Sequence, residues 1–275
     1  MRIITLVENM EGLAGCGTEH GLSFYIETEA HRLLFDAGAS ELVMKNSAVL
    51  GVDLTAVDTA FLSHGHSDHG GGLPAFLAVN DRAKVYLLKS MFEGHYSLRA
   101  DGPHYIGLPE ALRQYNERLV CAGEKLDIDP ELSVFSGIGY QHPMPPTNGH
   151  LMMDGADGLV RDDFAHEMCL VISQGEKRYL FSGCAHHGVL NVLERFAKLY
   201  GGMPDAVFGG FHLMRHGVPY GDADRNYAEQ TAEALTQLPA QFYTCHCTGE
   251  EPYAWMKAVM GEQLHYLHCG ESVTL

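Results

Sequence analysis

The stretch VDTAFLSHGHSDHGGGL, Val57–Leu73, runs a short apolar segment straight into three histidines and an aspartate, then into three consecutive glycines. Apolar runs this short, bounded by turn residues, read as buried strands. The donors therefore sit at the carboxyl end of a strand, where the chain must bend. His64 and His66 are two residues apart, so in extended backbone both rings point to the same side and can share one ion. Asp68 and His69 follow the bend and face a second position. Imidazole nitrogens with one carboxylate suit zinc, iron or manganese better than calcium or magnesium. A solvated turn holding chance histidines is the plain alternative, and the density of donors across His64–His69 makes it the weaker account.

The surrounding chain alternates between strand-like and helix-like spacing. Arg2–Val7, Leu22–Glu27 and HRLLFDAG read as strands, Ser40–Leu50 and Leu73–Val79 as helices, and AKVYLLK as the next strand. Such a βα rhythm places the chain in the α/β class. From residue 91 to 161 the periodicity loosens and Pro, Gly and Met accumulate, as in GYQHPMPPTNGHLMMDGADG. That segment reads as an irregular insertion or lid within one domain spanning residues 1–275. Order returns with EMCLVIS and KRYLFSG as strands, HGVLNVLERFAKLY as an amphipathic helix and DAVFGGFH as a strand and turn. A helix over Ala223–Leu238, the strand QFYTCHC, a helix over Tyr253–Met260 and the strand LHYLHC complete the chain. This half repeats the first: LLFDAG, a helix and a strand into LSHGHSDH are matched by YLFSGC, a helix and a strand into GGFHL. A weak duplication predicts two like sheets face to face, helices outside and polar loops meeting at one edge.

More donors stand at later strand ends. FSGCAHHG offers Cys184 and His186, YTCHCTG offers His246, and GGFHL offers His212, for which metal and substrate contact are equally open. A formal charge of −17 leaves no broad basic surface for nucleic acid or anionic membrane, so an anionic substrate needs a local cation, which a bound metal supplies. The seven scattered cysteines are expected as reduced thiols, and the lack of a leader or a long apolar run predicts a cytoplasmic location. Oligomeric state is not legible.

Taken together, FDAG, HGHSDH after a buried strand and the later strand-end histidines resemble the metallo-β-lactamase superfamily. EHGLSFYIE, LSHGHSDHGGGL, SGCAHHGVLNVL, GGFHL and CHCTG resemble, within it, the group named 7,8-dihydropterin-6-methyl-4-(β-D-ribofuranosyl)aminobenzene-5′-phosphate synthase. The resemblance implies a four-layer αββα sandwich over the whole chain and one or two divalent metal ions, zinc first, with iron or manganese also compatible. By position it implies His64 and His66 as ligands of one metal and Asp68, His69 and His246 as ligands of the other, with Asp68 also orienting the nucleophile. The superfamily's bridging aspartate is absent: SGC puts Cys184 near that position, leaving His186 as the middle ligand and Glu167, beside His166, in reserve. Asp36 then orients a ligating histidine or caps its strand, while His20, Ser23, His212 and Thr248 approach the substrate. The implied activity is a metal-dependent hydrolase or cyclic-phosphate-opening enzyme acting on a small, phosphorylated, pterin-like molecule. A di-iron redox protein and a non-catalytic metal-dependent sensor are the alternatives.

Overall fold

Three apolar runs near the N-terminus become β1 (Arg2–Val7), β2 (Ser23–Glu27) and β3 (Arg32–Phe35), an antiparallel meander with Phe24 opposite Phe35. These come from a computed structural model describing residues 1–275. Beyond β3 the pairing turns parallel: β4 (Thr59–Phe61) adds to β3, and β5 (Lys84–Leu87) to β4. Parallel neighbours require a crossover. It is supplied by α1 (Leu42–Val49) before β4, and by α2 (Ser67–Gly70) with α3 (Leu73–Val79) after it. The chain then forms the hairpin β6 (His95–Arg99) and β7 (Gly102–Tyr105) and adds β8 (Leu119–Cys121) parallel to β5.

A second unit, Glu124–His150 with Asp163–Tyr266, repeats this plan. β9 (Lys125–Asp127) and β10 (Leu132–Phe135) start its sheet. β11 (Leu151–Gly155) and β12 (Gly158–Arg161) instead join β6 and β7 of the first unit in a four-stranded sheet. The second sheet continues antiparallel through β13 (Cys169–Gln174) and β14 (Lys177–Phe181), then parallel through β15 (Ala206–Phe208), β16 (Gln241–Thr244) and β17 (Leu264–Tyr266). Its crossovers are α4 (Val189–Tyr200), α5 (Asp222–Thr236) and α6 (Glu250–Met260). β18 (Ser272–Thr274) closes the first sheet against β1. The two seven-stranded orders, β18-β1-β2-β3-β4-β5-β8 and β9-β10-β13-β14-β15-β16-β17, thus both pass from antiparallel to parallel at the strand ending in Phe35 or Phe181.

Central parallel strands are covered on both faces and so read as unbroken apolar runs. Ala60 and Phe61 of β4, and Val207 and Phe208 of β15, are fully buried. Each such large side chain contributes roughly 1.5–3 kcal/mol by leaving water. α4 seats Val189, Val192, Leu193 and Phe196 in the second unit's core and stops at Gly201, whose φ of 75° is the left-handed C-terminal turn that glycine adopts without strain. No helix is long and apolar enough to cross a membrane.

Segment 91–161 differs from its sequence reading. Instead of an irregular loop it contains the strands β6 to β12. β12 is exposed throughout and β7 is exposed at every second residue, so these strands rest on backbone pairing and bury too little apolar surface to leave a hydrophobic pattern.

Candidate metal centre

In the first unit Phe35 pairs with Phe61, which sets the ends of β3 and β4 side by side. Asp36 follows one strand and Ser63–His64 the other. The Asp36 carboxylate accepts the Ser63 N–H at 2.8 Å and the Ser63 hydroxyl at 2.7 Å. His69 Nδ1 lies 2.6 Å from Asp36 Oδ2, and His64 Nδ1 lies 2.9 Å from the Ser63 oxygen. With the Ser63 proton committed to Asp36, His64 Nδ1–H donates to the serine oxygen, and His69 Nδ1–H donates to Asp36 directly. One buried carboxylate therefore sets the tautomer of two buried imidazoles and leaves Nε2 as the basic nitrogen of each.

The second and third of the three glycines owe their place to close backbone approach. A Cβ on Gly71 would stand 2.1 Å from the Ala39 carbonyl oxygen, and one on Gly72 2.1 Å from that of Ala37. That proximity lets the Ala37 N–H donate to His69 O at 2.7 Å and the Gly72 N–H to Gly38 O at 3.1 Å, tying the histidine loop to the loop after β3. Donor atoms of His64 come within 4.8 Å of those of His66 and of His69. Asp68 Oδ2 lies 3.2 Å from His20 Nε2 and 3.8 Å from His69 Nε2, with His20 exposed. Ser23, by contrast, is fully buried and donates its hydroxyl to Asp36 O at 2.9 Å. Imidazoles fixed through Nδ1 beside a carboxylate are the donor chemistry of zinc, iron or manganese sites.

His95 and Asp162, both buried, escaped the sequence reading. His95 Nδ1–H donates to Asp162 Oδ2 at 3.0 Å, and the same oxygen is 3.9 Å from His66 Nε2. Gly65, between the two first histidines, makes room for this pair: a Cβ there would lie 2.8 Å from His95 Nε2. The β6–β7 sheet also holds the loop directly, because the Ser67 N–H donates to Ile106 O at 2.7 Å. Neither residue sits in a histidine cluster or at the end of an apolar strand, so only the pairing of β11 with β6 reveals them.

In the second unit the ends of β14, β15 and β16 carry Cys184 and His186, then His212, then His246. His186 Nδ1–H donates to Asn148 Oδ1 at 3.1 Å, while the Asn148 amide donates to His186 O at 2.7 Å. Phe164 stacks on the same ring, with centroids 4.6 Å apart. Glu167 accepts the backbone N–H groups of His186 and His187 at 2.6 and 3.2 Å and the His187 ring at 2.7 Å. Both Glu167 oxygens therefore clamp the loop after β14. Burial, then the Glu167 charge, push the Cys169 thiol well up, making it a protonated core group. His166 is buried, with its ring 6.0 Å from that of Phe164. The rings of His186 and His212 are 4.1 Å apart. Thr248 is buried, and its hydroxyl accepts the Phe211 N–H at 2.9 Å, an internal tie within the loops.

Backbone strain marks the same places. The non-glycine residues with positive φ are Asp36, Phe164, Ala185, His212 and His246, at 50–56°. Each holds a conformation costing about 1–3 kcal/mol, and such residues gather where function demands a fixed geometry.

Comparison with known proteins agrees. The sequence model of the Metallo-beta-lactamase superfamily matches residues 16–239, across both units. The 7,8-dihydropterin-6-methyl-4-(beta-D-ribofuranosyl)-aminobenzene-5'-phosphate synthase of Methanocaldococcus jannaschii is 27% identical over 290 aligned residues, covering 99% of this chain and 96% of the relative. An uncharacterized protein of the same organism is 30% identical, over 84% of each chain. A crystal structure named as Tm1679, a metal-dependent hydrolase of the beta-lactamase superfamily, superposes with a TM-score of 0.82 at 25% identity, covering 100% of this chain and 99% of the other. With the family match spanning most of its length, and buried histidines held through carboxylates at its strand ends, the chain belongs to the metallo-β-lactamase superfamily.

Proposed function

We propose that the chain is a metal-dependent hydrolase that opens or cleaves a phosphate ester of a small, pterin-like molecule, both units acting as one catalytic domain in a reducing cytoplasm. The observation that carries the reading is the Asp36–Ser63 network, which presents His64 and His69 in the tautomer that ligates through Nε2. The proposed ligands are His64, His66, Asp68 and His69 of the first unit with His186 and His246 of the second. Zinc is the first choice, ahead of iron and manganese. These residues would hold a divalent ion, which would supply a lowered pKa for bound water and a Lewis acid for a phosphoryl oxygen. Asp68 orients the nucleophile, and exposed His20, 3.2 Å from it, meets the substrate. The relative is named as the synthase of a dihydropterin that carries a ribofuranosyl phosphate, and the substrate proposed for this chain is a compound of that pterin and phosphate class. A net charge of −17 argues for such a small anion over nucleic acid or a membrane surface.

Metal analysis of the purified chain, with assays on cyclic and linear phosphodiesters and phosphomonoesters, tests this reading. Ester cleavage lost together with metal in His66→Ala is the expected result. Full metal content in that variant refutes the ligand assignment. Intact metal without turnover of any ester favours a sensor, and reversible oxidation of bound iron favours a redox protein.

A further inference from the structure

The second unit contains a donor cluster that the proposed ligands leave unused. Three strand ends, those of β14, β15 and β16, bring Cys184, His212 and Cys247 together, with one donor atom of each within 4.8 Å of the others. The thiols are 2% and 3% exposed. Their loops are laced by backbone bonds. The Gly210 N–H donates to Gly183 O at 2.6 Å, and the Leu213 and Met214 N–H groups both donate to Cys247 O at 2.8 Å. The His212 N–H reaches Cys247 Sγ at 3.3 Å, and the Thr147 hydroxyl donates to His212 O. Two features set this cluster apart from cysteines that merely fill a core. His212 is held at a φ of 50°, a left-handed conformation that a bulky side chain adopts only under constraint. At Gly210 a Cβ would stand 2.3 Å from Cys247 Sγ, so the glycine clears space for the sulfur against the loop after β15.

Two sulfurs and one imidazole are a soft to borderline donor set, which selects zinc over magnesium or calcium. Tetrahedral zinc with Zn–S near 2.3 Å and Zn–N near 2.0 Å needs donors about 3.5–3.8 Å apart, inside the 4.8 Å within which these three lie. Three protein ligands leave a fourth position for water or a substrate oxygen, the arrangement of catalytic rather than structural zinc. We propose that Cys184, His212 and Cys247 bind a zinc-type divalent ion. The site lies wholly within the second unit, and none of its three residues is among the ligands proposed above. On binding, each thiol releases its proton to solvent, and no redox partner is involved.

Cobalt(II) is the probe. The full-length chain, reduced, metal-stripped and kept anaerobic, should develop a near-ultraviolet sulfur-to-cobalt charge-transfer band that saturates as one ion fills the site. Cys247→Ser should cut the band by about half and Cys184→Ser likewise, whereas His66→Ala should leave it intact. His212 and Cys247 are not among the ligands proposed above, so loss of the band in Cys247→Ser with the His66-dependent metal retained separates the two readings. Absence of the band, or a band unchanged in Cys247→Ser, overturns the proposal. Should the serine variants fail to fold, zinc-edge X-ray absorption on the unmodified chain decides. Two sulfur neighbours at about 2.3 Å support the site, and none overturns it.

Discussion

The two seven-stranded sheets follow one plan and diverge at their strand ends. In the first unit a carboxylate after β3 reaches across to the loop after β4 and orients two imidazoles at once, through Ser63 and directly. In the second unit the histidines after β14 are held singly, His186 by the Asn148 amide and His187 by Glu167, and thiols stand among them. The difference teaches that a repeated scaffold fixes where chemistry happens, not which chemistry. Buried strands tolerate little change, while the loops at their carboxyl ends are free to trade carboxylate for amide and imidazole for thiol.

The comparison is broken most severely at the shared scaffold. Phe61 in β4 and Phe208 in β15 are both fully buried, and truncating either to alanine should cost about 3–5 kcal/mol in denaturant unfolding. A cost below about 1 kcal/mol on one side only would show that the two sheets are not equivalent cores. Gly71→Ala comes next. Its Cβ would meet the Ala39 carbonyl oxygen at 2.1 Å, backbone that cannot step aside, so about 3 kcal/mol is expected, read as a fall in the unfolding midpoint. At the level of chemistry, Asp36→Asn should weaken metal binding about 10–100-fold in isothermal titration, because the amide can no longer hold both imidazoles as donors. Glu167→Gln should weaken it less, since Glu167 grips backbone and His187 but neither His64 nor His69.

The smallest effect concerns a helix end of the second unit. Burial alone would raise the Asp224 pKa, yet the hydrogen bond from Arg215, at 2.6 Å, and the Gly221 N–H hold it below the usual carboxylate value. A depressed folded pKa stabilises the fold above the unfolded value and loses that contribution as pH falls through the folded one. Asp224→Ala should therefore cost about 1 kcal/mol at neutral pH, with the gap to wild type closing in strong acid. A thermal-denaturation series against pH showing a constant gap would refute the pairing.

Much of this is legible in the amino-acid sequence. β1, α3 and the strand preceding HGHSDH follow from apolar spacing, and the repeat of LLFDAG by YLFSGC reappears as two sheets with the same change from antiparallel to parallel pairing. Of the strands between residues 91 and 161, β12 and β7 are not legible because they leave much of their surface exposed, while β10 is buried but only four residues long, too short to stand out from its surroundings. His95 and Asp162 are hidden for a different reason: both are buried, but they lie 67 residues apart and meet only through the register of β11 on β6. Glu167 was visible as a potential ligand, but its use of both oxygens on the loop after β14 depends on a backbone path that no local spacing encodes.

By itself, then, the sequence determined the α/β class, the superfamily and the histidine-rich loop, because these depend on short-range periodicity and on donor types crowded into a few residues. Tertiary structure decided which nitrogen of each imidazole is held. It also decided why Gly65, Gly71 and Gly72 must lack a side chain, and that Cys184, His212 and Cys247 share one place. Those facts are set by strand register and by the close approach of loops distant in the chain, where tenths of an ångström separate a hydrogen bond from a clash.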